Sequence, residues 1–151
     1  MLNNNTNLKV AILGKLPSKM YAPFDDDTWQ IWSCNVHKIP RFDLWFDIHT
    51  NPSKYNITPD RLITAKSYPL EDVKRLLGGS YLNNSISYMV MYAVLKGAKE
   101  IALYGVALNT GEEIRTKQLN NLREILFYCK GRGIKVTSYE QNVLAEYPLY
   151  C

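Results

Sequence analysis

Cysteine is scarce in this chain: three residues, Cys34, Cys129 and Cys151, with no C-x-x-C pair among them. An odd and widely spaced set argues against both a zinc site and a disulfide framework. Cys34 lies in an apolar run and Cys129 on a helical face, so both are expected as buried thiols of a reducing compartment. No stretch of 18 apolar residues occurs, and no segment reads as membrane-spanning. Met1 to Asn7 lacks the basic start and apolar core of a secretion signal, so the expected location is the cytoplasm. Glycine is sparse as well, at eight residues. The nicotinamide fingerprint G-x-G-x-x-G and the P-loop G-x-x-x-x-G-K-[ST] are both absent. Charge of one sign is not concentrated either. Eighteen Lys and Arg against fourteen Asp and Glu give +4, without any run. Nucleic-acid binders gather such charge into a patch or stripe, so that partner is not expected. A mild positive balance does suit a phosphate-bearing ligand.

What is present suits one α/β domain. The 151 residues can bury about two-thirds of their unfolded surface. Residues 1–7 read as a flexible polar tail and 8–151 as a single domain. Lys9–Leu13 is a short apolar run closed by Gly14, as expected of a strand buried on both faces. Trp29–Cys34, Asp43–His49, Leu62–Ala65, Ile101–Val106 and Ile134–Thr137 read as further strands, with Asn51-Pro52 and Thr58-Pro59 as turn or helix-start signals. Leu70–Leu77 is a short helix closed by Gly78-Gly79. A clearer helix starts at Asn84 or Ser85 and runs to Lys96, with Ile86, Met89, Val90, Ala93 and Val94 at three- and four-residue steps. Glu112–Lys130 carries a stripe of Leu119, Leu122, Ile125, Leu126 and Cys129, ended by Gly131 and Gly133. The alternation predicts a Rossmann-like three-layer sandwich with a mainly parallel sheet of five to six strands.

In such sheets ligands bind beyond the carboxyl ends of the strands. That rule selects Gly14–Ser18, Cys34–Lys38, Asp47–His49 and Gly105–Gly111, together with the helix start at Asn83, Asn84, Ser85 and Ser87. In the first loop Gly14 lets the backbone approach a ligand, Pro17 opens a helix and Ser18 offers a hydroxyl. Free N–H groups and the dipole at Asn84 and Ser85 favour an anion, although Asn84 or Ser85 also suits a plain helix cap. His49 and Asp47, two apart on a strand, form an acid–base pair on one side. His37 is the other histidine. Asp25-Asp26-Asp27 reads as a solvated acidic turn, because adjacent carboxylates do not converge on a metal without a dedicated loop. Trp29, Trp32 and Trp45 read as core residues. No metal and no cofactor is implied.

The block Asn84-Ser85-Ile86-Ser87-Tyr88-Met89, then Ala93, Gly97, Lys99-Glu100-Ile101, Leu103 and Gly105, resembles a stretch of bacterial sialyltransferases. Those are Rossmann-like enzymes that use a cytidine-nucleotide sugar. Gly14-x-x-Pro17-Ser18 is similar to their first nucleotide loop, and Cys34-Asn35 to their second, where the resemblance implies that Asn35 contacts the nucleotide. The arrangement also resembles 6-hydroxymethylpterin diphosphokinase-like proteins and short phage-encoded Rossmann proteins. The phage likeness rests on Ile31-Trp32-Ser33-Cys34-Asn35, on Pro40-Arg41-Phe42-Asp43-Leu44-Trp45-Phe46 with His49, and on Tyr147-Pro148-Leu149-Tyr150. If it holds, the location is the host cytoplasm. One departure stands out: the sialyltransferase pattern Gly-x-Asp is here Gly105-Val106-Ala107.

Three functions follow as expectations. The first is binding of a nucleotide or nucleotide-sugar, held by main-chain amides at 14–18 and 85–87, with glycosyl or phosphoryl transfer if the site is catalytic. The second is a phage-type protein that sequesters a nucleotide-derived immune signal without turnover. The third is a structural or assembly protein that has lost its site. The edge strand Ile134–Thr137 and the aromatic C-terminus predict a homo-oligomer, which a sedimentation mass of one chain would rule out.

Overall fold

The computed structural model describes residues 7–34, 38–49, 56–79, 82–108, 112–140 and 143–144. The tail 1–6, Asn35, His37, the Asn51-Pro52 signal and the C-terminal segment 145–151 lie outside the described residues. Six strands form one sheet: β1 Lys9–Leu13, β2 Trp29–Ser33, β3 Leu44–Asp47, β4 Leu62–Thr64, β5 Glu100–Tyr104 and β6 Lys135–Ser138. Their spatial order is β4-β3-β2-β1-β5-β6, and every adjacent pair is parallel. The helices are α1 Leu70–Leu77, α2 Ser85–Leu95 and α3 Glu113–Gly131. Short 3-10 turns occupy Pro17–Tyr21 and Pro59–Arg61. The α/β Rossmann-like architecture read from the sequence is the one observed.

Alternation along the strands sorts the core. Val10 and Ile12 of β1 face a large cluster with Trp32, Phe46, Leu103 and the apolar residues of all three helices. Ala11 and Leu13 face the other way, toward Ile31, Ala22 and Phe24. One face of the sheet therefore carries the helices, and the other carries the 3-10 turn and the chain that follows it. α2 buries Ser87, Met91 and Tyr92 in addition to its expected stripe. The reason is its neighbours: α1 and α3 flank it on both sides, so little of its circumference meets water. Trp32 sits fully buried between Phe46 and Tyr92, at 5.5 Å from each ring. Asp25, Asp26 and Asp27 are exposed, as a solvated turn requires.

The helix-free face is closed by one arginine. Arg41 donates from Nε to the Phe24 carbonyl, from Nη1 to Asp43, and from Nη2 to the carbonyls of Asp26 and Trp29. Asp43 in turn accepts the Ile31 amide at 2.7 Å. The segment Pro40 to Phe46 thus has a structural job: the guanidinium fork ties the loop before β2 to the connection before β3. A lysine has no planar fork and reaches fewer carbonyls. Arg41→Lys is expected to lower stability by about 2 kcal/mol, measured as a shifted urea midpoint with unchanged slope.

Burial also sets an alkaline limit. The Cys129 thiol is pushed up to about 12 and that of Cys34 to about 11, each by desolvation, from an ordinary value of 9.0. Tyr68, whose hydroxyl donates to the Tyr88 carbonyl at 2.7 Å, is raised for the same reason. These groups ionise more easily in the unfolded chain. Their stabilising contribution is complete below pH 9 and is lost as pH rises from 9 through 11 and 12. Thermal unfolding should accordingly be flat in pH from neutrality to about 8.5 and then fall steeply.

Candidate functional site

The chain steps from β1 to β4 on one side of β1, then returns to place β5 and β6 on the other. The carboxyl ends of β1 and β5 therefore form the switch point of the sheet, where connections leave toward opposite faces and a crevice opens. Two glycines let the ends meet. The Gly14 amide donates to the Tyr104 carbonyl at 2.8 Å, and the Leu16 amide to the Gly105 carbonyl at 3.0 Å. A Cβ on Gly14 would stand 2.3 Å from the Gly105 oxygen. Gly105 itself has φ +74°, and a Cβ there would lie 2.8 Å from the Leu16 oxygen. Close approach at Gly14 is thus used first by another stretch of backbone.

Beside this clasp lies a cavity of about 700 Å3. Pockets for drug-sized ligands span roughly 300–1,000 Å3. Gly14, Lys15 and Leu16 line it from the end of β1, and Cys34, Ile48 and His49 from the ends of β2 and β3. The start of α2 contributes Leu82, Asn83, Asn84, Ser85, Ile86 and Tyr88. Gly105, Val106, Ala107 and Leu108 follow β5, and Arg115 and Gln118 come from α3. The wall is largely apolar, with two cations and no Asp or Glu among the described residues. Neither Lys15 nor Arg115 pairs with a carboxylate among the described residues. Such a surface favours an anion attached to an apolar body. Leu108 adds strain: φ is +51° in a residue with a full side chain, a cost of about 1–3 kcal/mol of the kind that gathers at functional sites.

The α2 start is braced from α3. Asn84 caps the helix by accepting the Ser87 amide at 2.9 Å, and its Nδ2 donates to the Gln118 carbonyl and to Asn121 Oδ1. Asn121, fully buried, also accepts the Asn83 amide. With Ser87 satisfied by the cap, the amides of Ser85 and Ile86 have no acceptor inside the helix, and both residues line the cavity.

The residues expected from sequence divide cleanly. Gly14, His49, Asn84, Ser85 and Gly105 line the cavity. Pro17 and Ser18 do not, because the 3-10 turn carries them away, and Ser18 donates to the Glu140 carboxylate. Ser87 is fully buried and held by the cap. The Asp47–His49 pair is not the strand pair expected. β3 ends at Asp47, so alternation stops there; Asp47 is 1% exposed and its Oδ1 receives the His49 amide at 3.4 Å. Asp47 positions the loop while His49 reaches the cavity. Asn35 lies outside the described residues.

Sequence reading missed Lys15, Tyr88, Arg115 and Gln118. Arg115 left a signal. It stands in the first turn of α3, where a cation opposes the helix dipole by about 0.3–1 kcal/mol. A ligand anion reverses that sign. Tyr88 was hidden in an apolar helix, yet its ring is fixed edge-on by Tyr68 at 5.0 Å and forms part of the wall.

Cys34 is the wall's only thiol among the described residues, 8% exposed and pushed to about 11. It is protonated at neutral pH and no nucleophile there. Iodoacetamide should label it slowly at pH 7 and progressively faster toward pH 10, a rise that mass spectrometry of the modified peptide can follow. No cluster of three His, Cys, Asp or Glu able to hold a metal occurs among the described residues. No helix among them is long and apolar enough to cross a membrane. Comparison with protein-family models, curated proteins and solved structures finds no match.

Proposed function

We propose that the protein binds a nucleotide or nucleotide-sugar in the cavity at the strand ends. The phosphate faces Lys15, Arg115 and the amides that open α2, and the ring system packs on the apolar wall with Tyr88. One observation carries this reading: a cavity of about 700 Å3 whose described wall has two cations, neither ion-paired to a described carboxylate, and no carboxylate of its own; Arg115 Nη1 donates only to the neutral Gln118 Oε1 at 2.9 Å. The third expectation, a fold that has lost its site, is disfavoured because an idle crevice has no need of these two cations. Isothermal titration against nucleoside monophosphates, diphosphates and nucleotide-sugars tests the reading. Heat from at least one, lost when the cavity is blocked by Ser85→Trp, is the expected result. Silence from the whole panel would sink it.

Retention without turnover is the second reading, and specific residues favour it. Ala107 stands where the resemblance implies a carboxylate, and the Cys34 thiol is protonated. His49 is then the wall's one imidazole among the described residues. Incubation with stoichiometric nucleotide followed by mass spectrometry separates the readings. An unchanged ligand supports retention, and a hydrolysed or transferred product supports a transferase with His49 as its acid–base group.

A further inference from the structure

The sequence spreads its cations from Lys9 to Lys135 without a run, and the fold gathers six of them at one end. Strands β1, β5 and β6 lie side by side and parallel, so Lys9, Glu100 and Lys135 share one row at their amino ends. The Lys99 amide donates to the Leu8 carbonyl at 2.8 Å, and the Lys135 amide to the Lys99 carbonyl at 3.0 Å. The segments entering all three strands therefore meet. α2 and α3 run back to the same end, where Lys96 is the C-cap of α2 and Lys130 and Arg132 close α3. Lys96, Lys99, Lys130, Arg132 and Lys135 are all exposed. The cavity lies at the opposite end of the sheet.

Little on the molecule answers this charge. The two helix ends carry about −0.5 each, which one cation between them would match. Lys135 pairs with Glu100 at 3.4 Å, and none of the other five forms an ion pair among the described residues. Four are held on rings instead: Lys9 over Trp29 at 4.8 Å, Lys96 over Tyr92 at 5.2 Å, Lys130 over Phe127 at 5.7 Å and Arg132 over Tyr128 at 5.6 Å. A ring fixes a cation in place without cancelling its charge. The other carboxylates stand at the margins. Asp25, Asp26 and Asp27 occupy the exposed turn before β2, on the Lys9 side. Glu124 is exposed on α3, about two turns from Arg132. Glu146 is the one carboxylate outside the described residues. The acidic turn bounds the patch, so a polyanion is steered onto the β5–β6 side of it.

From this arrangement we infer that the amino-terminal end of β1, β5 and β6 is a docking surface for the phosphodiester backbone of a nucleic acid, whatever the cavity holds. Lys and Arg on separate elements supply affinity for phosphates without reading sequence. Phe127, 60% exposed beside Lys130, offers a ring on which a base can stack. An anionic lipid surface is served less well, because interfacial binding draws on buried apolar area as well as charge. The other exposed large apolar side chains among the described residues, Leu16, Met20, Tyr21, Ile114 and Tyr139, stand toward the carboxyl end of the sheet.

Fluorescence anisotropy of the intact protein with labelled oligothymidylate, and with a mixed-sequence DNA duplex, tests the inference. At about 50 mM salt at least one should bind with a Kd of about 10 μM or tighter, and about 200 mM salt should weaken it tenfold or more, as contact with three or more phosphates requires. Lys130→Gln with Arg132→Gln should weaken binding by about tenfold at the lower salt and reduce the single-strand salt slope by about 1.4. Lys74→Gln with Arg75→Gln removes the same charge from α1, where both residues pair with carboxylates, and should change affinity less than about twofold. Equal losses in the two double variants would overturn the inference, since net charge alone would then explain binding. So would displacement of the strand by AMP at constant ionic strength, which would place it in the cavity. Silence from both nucleic acids overturns it too, and retention on phosphatidylserine vesicles in that case would assign the patch to a lipid surface.

Discussion

Alanine at Gly14 is expected to remove about 3 kcal/mol of stability and the binding site together. The added Cβ would fall 2.3 Å from the Gly105 oxygen, 2.7 Å from the Gly105 carbonyl carbon and 2.8 Å from the Val106 Cγ2. Two of these three atoms are backbone, so no rotamer change clears the overlap. Relief requires β1 and β5 to part at their carboxyl ends, breaking the Leu16–Gly105 hydrogen bond and moving Lys15. For a domain of this size the loss corresponds to a melting temperature lower by about 6–12 °C. Gly131→Ala is the control. A Cβ there meets nothing within 4 Å and the residue ends α3, so the melting temperature should hold or rise, by up to about 1 kcal/mol in stability. If Gly14→Ala and Gly131→Ala behaved alike, the clasp would not be what holds the switch point together.

Lys15→Gln and Arg115→Gln should each weaken binding of a phosphate-bearing ligand by about tenfold to a hundredfold. Each removes a charge-assisted hydrogen bond worth about 1.5–3 kcal/mol. The double variant should fall below detection in an ordinary calorimeter. Stability is expected to move the other way or not at all. Neither side chain pairs with a carboxylate among the described residues, and Arg115 opposes the α3 dipole. Relieving that strain in the ligand-free protein is worth up to about 1 kcal/mol. Weaker binding in a protein as stable as the parent marks a functional residue; a loss of both marks a structural one. On the proposal that the two cations address one phosphate, their effects should couple by about 0.5 kcal/mol or more in a double-mutant cycle.

How much of this was legible in the sequence depends on which interactions are local. Strands read out because buried parallel strands are apolar runs, as at Val10–Leu13 and Ile101–Leu103. α3 read out because Leu119, Leu122, Ile125, Leu126 and Cys129 keep helical spacing, and all five are buried. The switch point then followed from topology, and with it Gly14, Asn84, Ser85, His49 and Gly105 at the cavity. Residues whose role depends on a single turn were misjudged. Pro17 and Ser18 share a loop with Gly14, but one 3-10 turn separates them from the wall and hands Ser18 to Glu140. Asp47 was grouped with His49 by strand alternation, which ends two residues too soon. Arg115 and Lys15 were invisible as a pair because they are 100 positions apart; the packing of α3 against α2 and β6 brings them to one cavity. The Pro40–Phe46 segment, read as one of the runs that carry the phage likeness, holds the Arg41 staple on the helix-free face.

A crystal structure of the protein grown with AMP tests the central claim most directly. Its phosphate should lie within hydrogen-bond distance of the Lys15 ammonium, the Arg115 guanidinium and the Ser85 amide, with the base against Tyr88. A nucleotide seated elsewhere on the molecule while this cavity holds only water, or a cavity closed by the approach of residues 14–16 to 84–86, would contradict it.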